Sequence, residues 1–188
     1  MRALVILHPG FEEIEAITPM DLLSRAGIEV VSASINSKRS VTGRSSITLE
    51  ADTVLSDVIE DLFDIVVLPG GPGIQAIRNH SIVCSVLQRH HASEKWIASI
   101  CAAPLLLQDA GLLDKCSRYT CHPSVEDEFC GQLEDCEVVI DGNILTARGA
   151  GSSLPFSLKL VEKACSLETA RTIAASICDR SGTLTGVE

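Results

Sequence analysis

Trp96-Ile97-Ala98-Ser99-Ile100-Cys101-Ala102-Ala103-Pro104-Leu105-Leu106-Leu107 runs five mostly apolar residues straight into a cysteine, with no Gly or Asn spacer before a helix-forming segment. A short apolar run of this kind reads as a buried parallel strand, and the segment after Ala102 reads as a helix start with Pro104 in its first turn. A residue on so tight a strand-to-helix turn is forced into a strained backbone conformation. Its side chain is pushed out above the sheet, as nucleophiles are in G-x-S-x-G enzymes. The helix N-terminus offers unpaired N–H groups and partial positive charge, which favour a thiolate over a thiol. Cys101 is therefore the first candidate for a reactive group, against the plainer reading of a small buried residue at a strand end.

Outward from this stretch the chain alternates. Residues 2–8 read as an apolar strand turned by Pro9-Gly10, and 11–26 as a helix with acids at its start, which Pro19 should kink or end. Gly27 stops that helix, 28–35 is a second strand, and 36–55 reads as a small hairpin around Thr42-Gly43-Arg44-Ser45-Ser46. Asp64 to Leu68 is a buried strand ending in Pro69-Gly70-Gly71-Pro72-Gly73, followed by helical pieces at 73–79 and 81–91. Residues 118–121 suggest a strand, 123–129 a short helix, and 137–140 with 143–146 a hairpin turned by Asp141-Gly142. A Ser cap at 152 or 153 should open a further helix, and 167–178 the last one. This order predicts one α/β domain over 1–180, a doubly wound, mostly parallel sheet with helices on both faces and a small β-hairpin; residues 181–188 are a polar C-terminal tail.

Composition narrows the function classes. With 188 residues, 46% of them hydrophobic and 21% charged, the chain is globular rather than disordered. A formal charge of −10 leaves no basic stripe for nucleic acid or an anionic membrane. The N-terminal apolar run is too short for an export signal, so a cytoplasmic location is the expectation. Eight cysteines are many for that compartment, yet none has C-x-x-C spacing. Cys116, Cys121, His122, Cys130 and Cys136 cluster at irregular gaps, so no metal is expected.

Ligands of doubly wound sheets bind beyond the carboxyl ends of the strands. Gly70 and Gly71 fall there and could point N–H groups at an anion, or simply make a tight turn. Of Glu12, Glu13 and Glu15 at the first helix start, one acid could be aimed at Cys101, and spacing alone does not choose it. His122, held extended by Pro123, is the best-placed histidine and a possible base for Cys101. His8 is a second candidate, while His80, His90 and His91 lie in polar helical stretches and read as solvated.

Taken in order, Arg2 to Leu7, Gly10-x-Glu12-Glu13-x-Glu15, Asp21 with Arg25-Ala26-Gly27, Val67-Leu68-Pro69-Gly70-Gly71, Ala98-x-Ile100-Cys101-Ala102-x-Pro104, Thr120-x-His122-Pro123 and Leu145-Thr146-x-Arg148-Gly149-x-Gly151 resemble the DJ-1/PfpI (ThiJ) family, in its DJ-1-like branch. The resemblance implies a flavodoxin-like fold and assigns roles by position. Cys101 matches the nucleophilic, oxidation-prone cysteine and Glu15 the acid bonded to it. Gly70, Gly71 and the Ala102 N–H match the oxyanion pocket, and His122 the pocket histidine. Asp21, Arg25 and Arg44 fall where relatives form a homodimer near the site. Ala102 stands where the proteolytic branch carries His. Ala103 departs from a common Gly, and Cys121 offers a second sulfur. The resemblance thus implies a homodimer with a low-pKa cysteine that needs no cofactor. It would act on methylglyoxal-type α-oxoaldehydes or on glycated protein. The alternative is an oxidative-stress sensor or redox-regulated chaperone whose Cys101 becomes a sulfinic acid.

Overall fold

The structure, a computed structural model, describes residues 1–180, so the tail expected over 181–188 lies outside the described residues. Its strands are β1 (Arg2–Leu7), β2 (Glu29–Ser34), β3 (Ser40–Thr42), β4 (Thr48–Glu50), β5 (Thr53–Val54), β6 (Ile65–Leu68), β7 (Trp96–Ile100), β8 (Arg118–Tyr119), β9 (Gln132–Leu133), β10 (Val138–Asp141) and β11 (Ile144–Ala147). The α-helices are α1 (Glu13–Arg25), α2 (Ser81–Ala92), α3 (Pro104–Asp109), α4 (Ser153–Ala164) and α5 (Leu167–Ser176).

Seven strands form one sheet in the order β10-β11-β7-β6-β1-β2-β5, parallel throughout except for the edge strand β10. Alternate side chains of the central strands feed two cores. Ala3, Val5 and Leu7 of β1 pack with Leu22 and Leu23 of α1, Phe156 and Leu160 of α4 and Ile173 of α5. Leu4 and Ile6 pack on the other face with Val86 and Leu87 of α2 and Leu105 of α3. Burial on both faces is why these strands read as continuous apolar runs.

Several elements depart from the sequence reading. Helix α1 runs unbroken through Pro19, which lies on its buried face. Packing against α4 and the sheet holds the helix across the one missing N–H, so the helix does not end at Pro19. The hairpin expected over 36–55 forms from β3 and β4, but Thr53–Val54 leaves it and joins β2 as a parallel edge. The second hairpin turns on Gly142-Asn143 rather than Asp141-Gly142, because Asp141 pairs with Ile144. Its strand β11 lies inside the main sheet beside β7. Strand β8 pairs with β9, an element the sequence did not signal. Ser152 occupies the N-cap of α4 without a side-chain bond, and Ser153 Oγ is buried with no hydrogen-bond partner, so neither serine caps through its side chain.

Candidate active site

The carboxyl ends of β1, β6 and β7 bring three loops together. At the end of β7, Cys101 has φ +67°, the left-handed conformation a non-glycine residue rarely adopts. It is pinned from both sides: its N–H donates to Ala147 O at 2.8 Å, and its C=O accepts from His122 N–H at 2.8 Å. Such strain persists where surrounding structure over-determines it.

The three acids of α1 separate by partner. Glu12 takes an ion pair of 2.9 Å from Arg44 at the pocket mouth. Glu13 turns to the β3–β4 hairpin and accepts from Ser45 N–H at 2.8 Å. Glu15, fully buried, faces Cys101; its Oε2 accepts from Gly70 N–H at 2.8 Å, and its Oε1 is buried with no hydrogen-bond partner. Burial pushes the Glu15 carboxyl up to about 7, against the Gly70 amide and the Cys101 thiol, which favour the ionised form.

The same burial pushes the Cys101 thiol up to about 12, and the neighbouring Glu15 carboxylate adds to it; the Gly71 and Ala102 amides pull the other way. Burial and the Glu15 carboxylate therefore work against the thiolate that the helix start was expected to favour. Helix α3 begins only at Pro104, beyond the Ala102 amide that does reach the sulfur, and is six residues long. The oxyanion set is corrected. The Gly70 amide is spent on Glu15, which leaves the amides of Gly71 and Ala102 beside the sulfur. Gly70 must still be glycine, since a Cβ there would lie 2.7 Å from Cys101 Cβ and 2.9 Å from Glu15 Oε2.

A pocket of about 260 Å³ opens over Cys101, bounded by Glu12, Arg44, Gly71, Gln75, Ala102 and His122. The match to the family's sequence model is as extensive as this geometry suggests: a model described as the DJ-1/PfpI family covers residues 1–163. The chain belongs to the DJ-1/PfpI family. This DJ-1/PfpI chain is similar to Protein dj-1beta of Drosophila melanogaster, 38% identical over 179 residues that cover 93% of the chain and 95% of the relative. It is also similar to the Caenorhabditis elegans protein named Glutathione-independent glyoxalase DJR-1.2, 32% identical over 180 residues covering 94% and 95%. Oxidized Toxoplasma gondii DJ-1 superposes with a TM-score of 0.90 at 34% identity, over 95% of this chain and 98% of that one.

Within the DJ-1/PfpI pocket, His122 differs from its expected part. Its Nδ1 accepts from Ser124 N–H at 3.2 Å and lies 2.8 Å from Ser124 Oγ. The proton of the neutral ring therefore sits on Nε2, and His122 presents a donor rather than a base. Pro123-Ser124, a turn signal directly after His122, could have revealed this partner. His8 is buried with its ring nitrogens on Pro9 O and Pro69 O, where desolvation lowers its pKa, so it braces the glycine loop. His90, read as solvated, is fully buried. Cys121 is also fully buried, and burial pushes its thiol up to about 12, so it offers no accessible second sulfur. Of the three residues expected at an interface, only Arg44 borders the pocket; Asp21 and Arg25 pair with each other at 3.0 Å on the outer face of α1. Among the described residues no three His, Cys, Asp or Glu side chains are grouped to hold a metal ion. None of the helices there is long and apolar enough to cross a membrane.

Proposed function

We propose that this DJ-1/PfpI protein is a cysteine-dependent glyoxalase or deglycase acting on methylglyoxal-type α-oxoaldehydes or their protein adducts. The observation that carries this reading is the meeting of Cys101 with a buried carboxyl that titrates near neutrality. The relative named as a glutathione-independent glyoxalase supports it.

In this reading the Cys101 sulfur adds to the aldehyde carbon while its proton passes to the Glu15 carboxylate, which delivers it to the new hemithioacetal oxygen. The Gly71 and Ala102 amides stabilise that oxygen while it is charged. Glu15, ionised again, takes the proton from the former aldehyde carbon, giving an enediol as the second carbonyl oxygen is protonated. It returns that proton to the adjacent carbon as the first hydroxyl gives up its own, so that one proton has passed between the two oxygens. One carbon is oxidised and its neighbour reduced, and the product is a thioester. Water hydrolyses the thioester, releasing the 2-hydroxy acid and the free thiol. His122 supplies a donor to the second carbonyl oxygen. A raised thiol pKa suits this route, because the proton leaves as the sulfur attacks rather than beforehand.

The protein would act as a homodimer. Ile14 and Ile17 stand 54% and 42% exposed one turn apart on α1, and Ile47 is 53% exposed in the adjoining hairpin turn. Asp21, Arg25 and Arg44 would ring this apolar patch.

The decisive experiment is lactate formation from methylglyoxal, without glutathione, by wild type beside Cys101→Ser. Turnover lost with the sulfur supports the glyoxalase. Negligible turnover with Cys101 reduced favours the second reading, an oxidative-stress sensor or redox-regulated chaperone. Two equivalents of a hydroperoxide would then convert the thiol to a sulfinic acid held by Glu15 and the two amides.

A further inference from the structure

Three loops supply the pocket, and each runs into a helical segment of six residues that begins at a proline. Gly70-Gly71 leads into a 3₁₀ segment, Pro72–Ile77; Cys101 leads into α3, Pro104–Asp109; His122 leads into a second 3₁₀ segment, Pro123–Glu128. Segments this short have no independent stability, so contacts elsewhere must set where they lie. The far ends of all three are joined by one guanidinium. Arg78, directly after the first segment, forks onto Asp109, the last residue of α3, through Nε and Nη2, both at 2.7 Å. Its Nη1 donates to Glu128, the last residue of the third segment, at 2.7 Å.

Further bonds converge on the same two acids. Asn79 N–H donates to Asp109 Oδ2 at 2.9 Å, and Gln75, itself a pocket wall, donates to Glu128 Oε1 at 3.1 Å. The Asp109 side chain is 5% exposed and that of Arg78 22%, so this is a largely buried fork rather than a surface pair screened by solvent.

We infer that Arg78 is a positioning residue: it holds the three walls of the Cys101 pocket at fixed spacing and so sets how large a molecule reaches the sulfur. Lysine would not replace it, since an ammonium cannot fork onto one carboxylate and bridge to a second. The inference rests on Cys101 being the reactive sulfur of this pocket, whichever reaction that sulfur performs.

The test labels the full chain with a small alkylating reagent, iodoacetamide, and a bulkier one, N-ethylmaleimide, and reads each cysteine by peptide mass spectrometry. Buried Cys121 reports global opening in the same sample. In Arg78→Met the N-ethylmaleimide-to-iodoacetamide rate ratio at Cys101 should rise about fivefold with Cys121 still protected, and Arg78→Lys should fall between it and wild type. An unchanged ratio, or one that rises only in step with Cys121 labelling, overturns the inference. Should Arg78→Met fail to fold, Glu128→Gln leaves the Asp109 fork intact and should raise the ratio about twofold; no change there also overturns it. If methylglyoxal is turned over, Arg78→Met raises KM more than it lowers kcat. If it is not, the proposed enzyme fails while the labelling still decides on Arg78.

Discussion

The amide of Gly70 holds Oε2 of Glu15 at 2.8 Å, across 55 positions of chain. One backbone N–H thereby fixes the carboxyl that faces Cys101, and it does so without a side chain of its own. The loop lies so close to the sulfur that a methyl group in place of the glycine hydrogen would fall 2.7 Å from both Cys101 Cβ and Ile100 O. Acid, sulfur and loop are thus one packed unit.

Gly70→Ala should disrupt that unit from within. Overpacking of this kind costs about 1–3 kcal/mol, and displacement of Glu15 or Cys101 should lower any turnover by more than about tenfold. Thermal unfolding and methylglyoxal kinetics on the same preparation would check both. A variant with wild-type kinetics would contradict the close approach.

Glu15 makes stability depend on pH. Between its ordinary value of 4.5 and its buried value of about 7, the folded chain keeps a proton that the unfolded chain releases, so stability falls as pH rises through that window. Glu15→Gln keeps an acceptor for Gly70 and removes the titration. It should be about 3 kcal/mol more stable than wild type at pH 8 and equal to it at pH 4. Urea unfolding at the two pH values measures this; the same gain at both would refute it.

His90 anchors the opposite core. Its Nδ1 lies 2.6 Å from Val86 O, its Nε2 accepts from Phe63 N–H at 3.0 Å, and the ring stacks on Phe63. His90→Ala leaves a cavity and an orphaned amide and should cost about 3 kcal/mol. Burial lowers the pKa of His90, so its unfolded form binds the proton first, and stability falls as pH drops below 6.5. In a pH series of unfolding midpoints the variant should show less of this acid sensitivity, keeping the share that buried His8 contributes.

The exposed isoleucines of α1 test the homodimer. Ile14→Lys/Ile17→Lys replaces two side chains that stand about half in solvent, so folding should be preserved. Sedimentation should give the mass of one 20.0 kDa chain for the variant and twice that for wild type. A wild-type monomer would remove the interface proposed here.

Much of this architecture was legible in local pattern. Apolar runs such as Ile65 to Leu68 and Trp96 to Ile100 read as strands buried within a sheet, and the cysteine before a proline-started helix read as a residue on a strained turn, as the structure has them. What local pattern misjudged depended on partners far along the chain. Pro19 stays inside α1 because that face packs inward, and His90 is buried because Phe63 supplies a donor to it.

By itself the sequence determined the alternation of strands and helices, the place of Cys101 at a strand end, and, through its resemblance, the family. Periodicity and turn chemistry act between near neighbours, and that is enough for those conclusions. Spacing left the choice among Glu12, Glu13 and Glu15 open, the resemblance pointed to Glu15, and the tertiary structure turns that carboxyl toward the sulfur while the other two bond elsewhere. Only the tertiary structure decided that the Gly70 amide serves Glu15, that His122 offers a proton rather than takes one, and that Arg78 ties the three pocket walls together. Each of those depends on which distant group completes a hydrogen bond in a site closed to water, and no spacing along the chain encodes that.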